Sequence, residues 1–205
     1  MSESKLESFQ NKCRLTGEVI VVGPLAQGLV LPTRPSALLA VDGGADHLSF
    51  FDLSIGDGDS SALEMDIVAS IHKDQNDLAL ALELIPRKVK VTLFGFWGQR
   101  LDHQLTVLGE IALWNKERRQ PVTLFGNLNE RLECLSEGIH ALHHYGLFSL
   151  LSLYEGEFRV SGGINYPLAK KRLPPLSSHL LSNQARGDFE VESSVSFFVY
   201  FAGSP

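Results

Sequence analysis

The sequence predicts an α/β fold: an N-terminal, mostly parallel sheet flanked by helices, followed by a C-terminal antiparallel β-sandwich. Three observations carry this. Over the first 125 residues, short apolar runs alternate with amphipathic stretches, as when strand and helix take turns around a parallel sheet. From Gly126 onward the apolar segments shorten and are separated by Gly, Asn, Ser and Pro at the roughly 8–12-residue spacing of antiparallel strands. A chain of 205 residues, 44% hydrophobic and 20% charged, is long enough for one large or two small domains with buried cores. The expected division is residues 1–126 and 127–205.

In chain order, residues 18–22 form the first strand and run into the turn signal Gly23-Pro24. A second strand at 37–41 stops at Asp42-Gly43-Gly44, and the glycines and small polar residues of 55–60 mark a loop. A short strand is expected at 66–71. Asn76 is a good N-cap, Asp77 suits a first helical turn, and the Leu- and Ala-rich run 78–85 is a helix that Pro86 ends. Residues 89–94 read as a buried strand. Beyond the loop at 95–100, Leu101, Leu105, Leu108, Ile111 and Ala112 fall on one helical face, and 122–125 close the series as a strand. In the C-terminal part, strands are expected at 131–135, 147–154, 157–160, 179–182 and 189–200. No internal repeat or low-complexity segment interrupts this order.

Composition excludes several classes. The net charge of −6 argues against a nucleic-acid scaffold, and the basic cluster Lys170 to Arg172 is too short to reverse that. No apolar run approaches the ~18 residues of a membrane helix. Cys13 and Cys134 stand alone, fitting neither a zinc knuckle nor a disulfide scaffold, and residues 1–14 lack the apolar core of a signal peptide. A cytoplasmic protein is expected. No Lys follows a Gly anywhere, which removes the phosphate-cradling P-loop. The dinucleotide fingerprint, H-E-x-x-H and G-x-S-x-G are absent too.

Acidic residues at strand ends and loops remain. Between Asp42 and Asp102 lie 11 acidic and 5 basic residues, whereas the rest of the chain carries 13 of each, so the whole charge excess sits in this segment. In an open α/β sheet, ligands bind outside the carboxyl ends of the strands, where Asp42, Asp57 and the Arg100–Asp102 loop fall. In Gly56-Asp57-Gly58-Asp59, residues two apart in an extended loop point the same way. Both carboxylates can therefore face one hard cation, Mg²⁺ being the natural one, although a solvated Asp-rich turn has the same composition. Asp77 also suits the helix dipole, and Arg100 with Asp102 also suits a surface ion pair. His140, His143 and His144 lack Cys or carboxylate partners at ligand spacing.

Taken in order, six stretches resemble thiamine pyrophosphokinases over residues ~18–200. Ala40-Val41-Asp42-Gly43-Gly44-Ala45-Asp46 looks like that family's A-D-G-G-A-N, and Ile55-Gly56-Asp57-Gly58-Asp59-Ser60 like its I-G-D-F-D-S. Lys73-Asp74-Gln75-Asn76-Asp77-Leu78 is similar to K-D-x-T-D-L, and Gly98-Gln99-Arg100-Leu101-Asp102-His103 to G-G-R-x-D-H. Ser161-Gly162-Gly163-Ile164-Asn165-Tyr166-Pro167-Leu168 resembles S-G-L-K-W-P-L. Leu181-Ser182-Asn183, with Gly187-Asp188 after it, resembles the S-N and G-D pair.

The resemblance implies transfer of a pyrophosphoryl group from ATP to the hydroxyl of thiamine, giving thiamine diphosphate and AMP, by a homodimer. It assigns Mg²⁺ to Asp57 and Asp59, and catalysis to Asp57, Asp59, Asp77, Arg100 and Asp102. The nucleotide falls to Asp42, Asp74, Gln75, Asn76, Arg100 and His103, and thiamine to Tyr166, Ser182 and Asn183. Three positions depart from the pattern: Asn76 for Thr, Gly58 for a bulky apolar residue, and Tyr166 for a Trp that stacks on thiamine. They leave open another heterocyclic alcohol as acceptor, such as a hydroxymethyl pterin, and an inactive ligand-binding homologue.

Overall fold

In the computed structural model, residues 2–28, 30, 36–58, 61–70, 74–98, 100–126 and 130–203 are described. The chain has a mixed α/β fold and divides into two units. One comprises residues 1–110 with 124–126, the other 111–123 with 127–205, so that the division passes through a helix.

The first unit begins with α1 (Ser2–Thr16), an element the polar sequence did not announce. Phe9 and Cys13, one turn apart, are 1% and 0% exposed and anchor it. Lys5 pairs with Asp66 at 2.6 Å and Lys12 with Asp52 at 2.7 Å. Gly17, at φ +67, ends the helix, its N–H donating to the Cys13 carbonyl at 2.9 Å.

Five parallel strands follow: β1 (Glu18–Val22), β2 (Ala37–Val41), β3 (Leu53–Gly56), β4 (Ile67–Val68) and β5 (Lys90–Phe94). Their spatial order is β5-β1-β2-β3-β4, each pair parallel. Their Val-, Leu- and Ala-rich runs are buried because helices cover parallel sheets on both faces. β1 is thus the switch point: the chain builds outward through β4, then returns to add β5 on the other side. β4 is two residues long where six were expected, and Ile71 lies outside the described residues. Helix α2 (Asp77–Glu83) carries Leu78, Ala79, Ala81 and Leu82 inward.

Helix α3 (Leu101–Arg118) buries Val107, Ile111, Ala112, Trp114 and Asn115. The expected face is corrected here, since Leu101 and Leu105 are 68% and 58% exposed. Strand β6 (Val122–Phe125) stacks Phe125 on Phe94 of β5, ring centroids 4.8 Å apart.

The second unit is antiparallel: β7 (Arg131–Leu135), β8 (Gly138–Leu151), β9 (Gly156–Ile164), β10 (Leu168–Leu173), β11 (Asn183–Ser193) and β12 (Phe197–Phe201). The order is β10-β9-β11-β8-β12-β7, a single series in place of the two sheets of the expected sandwich. Phe158 of β9 and Phe197 of β12 lie three strand steps apart, about 14 Å in a flat sheet at ~4.8 Å per step. Their ring centroids are 6.0 Å apart, so the series curls over one core that also holds Phe148, Phe189 and Leu173.

Two expected strands are corrected. Residues 179–182 hold the end of a 3₁₀ turn (Ser178–Leu180) capped by Ser177. The span 189–200 is two strands broken at residues 194–196, where Ser193 Oγ donates to the Val195 carbonyl at 2.8 Å. β10, unforeseen, is an edge strand whose Lys170 and Arg172 pair with Glu157, Glu192 and Glu155.

Two glycines should respond oppositely to alanine. A Cβ on Gly44 would lie 2.0 Å from the Val22 carbonyl oxygen, whereas one on Gly109 of α3 meets nothing within 4 Å. Gly44→Ala should lose ~1–3 kcal/mol or more, and Gly109→Ala should gain about 0.4–1 kcal/mol, read from urea denaturation midpoints.

Candidate active site

The carboxyl ends of β1, β2, β3 and β5 are drawn together by backbone contacts that only glycine permits. Gly23 donates to the Phe94 carbonyl at 2.8 Å, joining the ends of β1 and β5. A Cβ on Gly95 (φ +75) would sit 2.6 Å from the Gly23 oxygen. After β2 the chain enters a 3₁₀ turn (Asp42–His47) in which Gly43, Gly44 and Ala45 are buried and Asp42 holds φ +53. Asp tolerates the left-handed region better than most residues. Gly56, last residue of β3, faces Asp42 so closely that a Cβ there would be 2.8 Å from Oδ1 and 3.0 Å from Cα. Asp57, half-buried, follows directly.

Two helices begin at this edge. Asn76 caps α2, its Oδ1 accepting the Ala79 N–H at 2.8 Å, with Asp77 in the first turn. At the start of α3, Arg100 grips Asp102 with two parallel bonds: Nη2 to Oδ2 at 2.5 Å and Nε to Oδ1 at 3.1 Å. That grip holds the Asp102 carboxyl down at about 2, and the carboxylate in turn raises the proton affinity of Arg100.

Between them lies a cavity of about 490 Å³, within the usual range for ligand sites. Asp42, Asn76, Asp77, Asp102, His103 and Thr106 supply its polar wall, and Pro24, Val41, Leu78, Phe96 and Val107 its apolar wall. Five residues singled out from sequence therefore share one cavity: Asp42, Asn76, Asp77, Asp102 and His103. Asp57 is one residue from the Gly56–Asp42 contact. Arg100 reaches the site through Asp102. Asp74 and Gln75 are not on the wall: Asp74 is exposed, and Gln75 donates to Glu83 at 3.1 Å. Asp59 lies outside the described residues. Pro24, Phe96 and Thr106 went unforeseen, although the Gly23-Pro24 turn and the end of β5 marked where the first two would be.

Other acids of the segment hold structure. Asp46 accepts from Ser61 Oγ and the Ala62 N–H. Asp52 takes Lys12 and the Leu38 N–H, and Asp66 takes Lys5 and the Ser54 N–H and hydroxyl. Among the described residues, no three His, Cys, Asp or Glu side chains are close enough to cage a metal ion.

In the second unit, His140 bonds the Ser136 carbonyl at 2.8 Å and His143 bonds Asp188 at 2.6 Å. His144 packs edge-on against Phe201, and its burial lowers its proton affinity. Tyr166 is exposed. Asn183 is buried with its amide on the Tyr166 backbone, and Ser182 (φ +56) donates its N–H to Ser149 Oγ at 2.9 Å.

No family model and no curated protein sequence matches this chain. Solved structures do. A thiamine pyrophosphokinase from Bacillus subtilis matches with a TM-score of 0.74 at 18% identity, over 92% of this chain and 100% of that one. A thiamin pyrophosphokinase family protein from Enterococcus faecalis matches with a TM-score of 0.77 at 20% identity, over the same 92% and 100%. The thiamin pyrophosphokinase from Candida albicans gives 0.75 at 13% identity, over 90% and 89%. The chain thus has the fold of these proteins along nearly its whole length. Among the described residues, no helix is long and apolar enough to cross a membrane.

The Arg100 grip can be read by titration. The Asp102 carboxyl is depressed from 3.8 to about 2, so its contribution to folding is complete above pH 3.8 and lost as pH falls through about 2. In Arg100→Ala the carboxyl should return toward 3.8, measured by carboxyl-carbon NMR. Titration of Asp102 unchanged by that substitution would show that the ion pair does not form in solution.

Proposed function

We propose that the protein is a thiamine pyrophosphokinase, a homodimer that transfers the pyrophosphoryl group of ATP to the hydroxyl of thiamine. The observation that carries this reading is the cavity at the switch point. Asp42, Asp77 and Asp102 meet there on a fold matching thiamine pyrophosphokinase structures over about nine-tenths of the chain or more. The six motif stretches add support, because three of them supply residues of its wall and a fourth brings Gly56 against Asp42.

The residues suit Mg²⁺. Their donors are carboxylate oxygens, hard ligands of the type that ion prefers, and Mg²⁺ usually takes only one or two carboxylates with waters and substrate phosphates completing its shell. Asp57, with Asp59 from the sequence motif, would hold it beside Asp42. When bound it neutralises phosphate charge that the acidic wall would otherwise repel.

The thiamine hydroxyl oxygen attacks the β-phosphorus in line. The bond from that phosphorus to the oxygen bridging it to the α-phosphorus breaks, and AMP leaves with the bridging oxygen. Arg100 meets charge developing on the transferred group, and Asp102 holds the guanidinium in a fixed orientation. Both oxygens of Asp102 are engaged by Arg100, which leaves Asp77 as the group that takes the hydroxyl proton. Asn76 keeps Asp77 in register by capping α2, and Tyr166 offers an aromatic face to the cationic ring of thiamine.

Incubation with ATP, Mg²⁺ and thiamine should release AMP in step with thiamine diphosphate; no product at high enzyme concentration would overturn the assignment. Chelation of divalent cations should abolish turnover. Asp57→Asn should cost about 10²-fold or more in kcat with little change in melting temperature. Undiminished turnover would remove Asp57 from the site.

A further inference from the structure

Tyr166 is 68% exposed, yet its backbone is held on both sides. Asn183, itself 5% exposed, accepts the Tyr166 N–H on Oδ1 at 3.1 Å and donates from Nδ2 to the Tyr166 carbonyl at 2.7 Å. The same Oδ1 takes the Gln184 N–H at 2.9 Å, and the Asn165 N–H donates to the Gln184 carbonyl at 3.0 Å. An amide oxygen has two lone pairs and an amide nitrogen two protons. Both lone pairs and one proton of Asn183 are thus committed to main chain, leaving a single N–H on a buried side chain. Its base is fixed as well, since Ser182 donates its N–H to the buried Ser149 hydroxyl at 2.9 Å.

Fixing a residue's backbone costs about 1–2 kcal/mol of conformational entropy, and a buried amide is tolerated only when satisfied. Here that cost is met for a residue whose ring packs on little. A large aromatic side chain left in solvent on an immobilised backbone is a contact surface prepared in advance for a flat partner.

We infer that Asn183 is a positioning residue, which acts through the Tyr166 backbone to present that ring as a fixed stacking face for the flat, cationic heterocycle of the acceptor. The inference rests on the proposed reaction and changes the role the resemblance assigns to Asn183. Its amide is turned to the Tyr166 peptide, and acceptor recognition passes to the ring it holds.

The test uses the full-length protein with thiamine as acceptor and four variants: Asn183→Asp, Asn183→Ser, Tyr166→Ala, and Asn183→Asp combined with Tyr166→Ala. Asn183→Asp keeps the acceptor for both N–H groups but turns an oxygen toward the Tyr166 carbonyl. It and Tyr166→Ala should each raise KM for thiamine about tenfold, the worth of one cation–π stack, with kcat and KM for ATP little changed. The double variant should be no worse than Tyr166→Ala alone, because both changes remove one interaction. Amide exchange followed by NMR should find the Tyr166 N–H protected in the wild type and released in Asn183→Ser.

Additive losses in the double variant would show that Asn183 touches the acceptor itself and overturn the inference. So would losses spread over kcat and both KM values, or a Tyr166 amide exchanging at the wild-type rate in Asn183→Ser. If the wild type does not turn over thiamine, the reaction falls separately, and the exchange measurement alone decides whether the clamp exists.

Discussion

The candidate site depends on how closely the strand ends of the parallel sheet approach one another. Strands in a sheet sit about 4.8 Å apart, and ordinary turns after them spread outward. Here Gly44 lets the turn after β2 lie against the Val22 carbonyl, Gly56 lets β3 end against Asp42, and Gly95 lets the chain leaving β5 touch Gly23. A side chain at any of the three would force backbone apart. The result brings Asp42, Asp77 and Asp102, from separate elements, to one cavity, with Asp42 in a left-handed conformation that its neighbours impose.

That arrangement sorts the acidic residues of the segment into two groups. Asp46, Asp52 and Asp66 accept hydrogen bonds from loop N–H groups, hydroxyls and the lysines of α1, so they are structural groups whose charge is answered locally. Of the carboxylates on the cavity wall, Asp102 is paired with Arg100, which lies outside the wall. Part of the negative charge concentrated between residues 42 and 102 is therefore answered at the α1 face, and Asp42, Asp77 and Asp102 bring a further part to the cavity wall. An acidic wall of that kind favours cations and repels bare polyphosphate.

What could be read from the sequence follows what each residue's environment is made of. β1, β2, β6 and β7 were legible to the residue because apolar runs meet Gly, Pro or polar stops at both ends. α1 was not, since among its described residues only Phe9 and Cys13 are deeply buried, and Lys5, Lys12 and Gln10 fasten it through tertiary contacts. Leu101 and Leu105 share a helical face with Ile111, but burial begins only at Val107, so periodicity alone names the wrong stripe. β11 and β12 merged in the reading because their turn is built by the Ser193 hydroxyl, without Gly or Pro. In the site, the acidic motif residues were visible as a pattern, whereas Pro24, Phe96 and Thr106 are set by which strand ends adjoin. The occupation of Asn183 by a backbone seventeen residues away is a fact of pairing, which no motif encodes.

The Arg100–Asp102 pair shows why these exposed groups are better understood as a device than as reinforcement. Both side chains are about two-thirds exposed, where such a pair contributes little to stability. Arg100 also stands immediately before α3, at the helix end whose dipole disfavours a cation, whereas Asp102 in the first turn is where an anion is favoured. Asp102 would be well placed without Arg100, whereas among the described residues it is the two-bond grip of Asp102 that holds Arg100 at that end. The pair thus orders a guanidinium against the local field, next to a cavity walled by carboxylates. In the proposed reaction that guanidinium is the cation that meets the transferring phosphoryl group, already oriented and with its donors fixed before the charge develops.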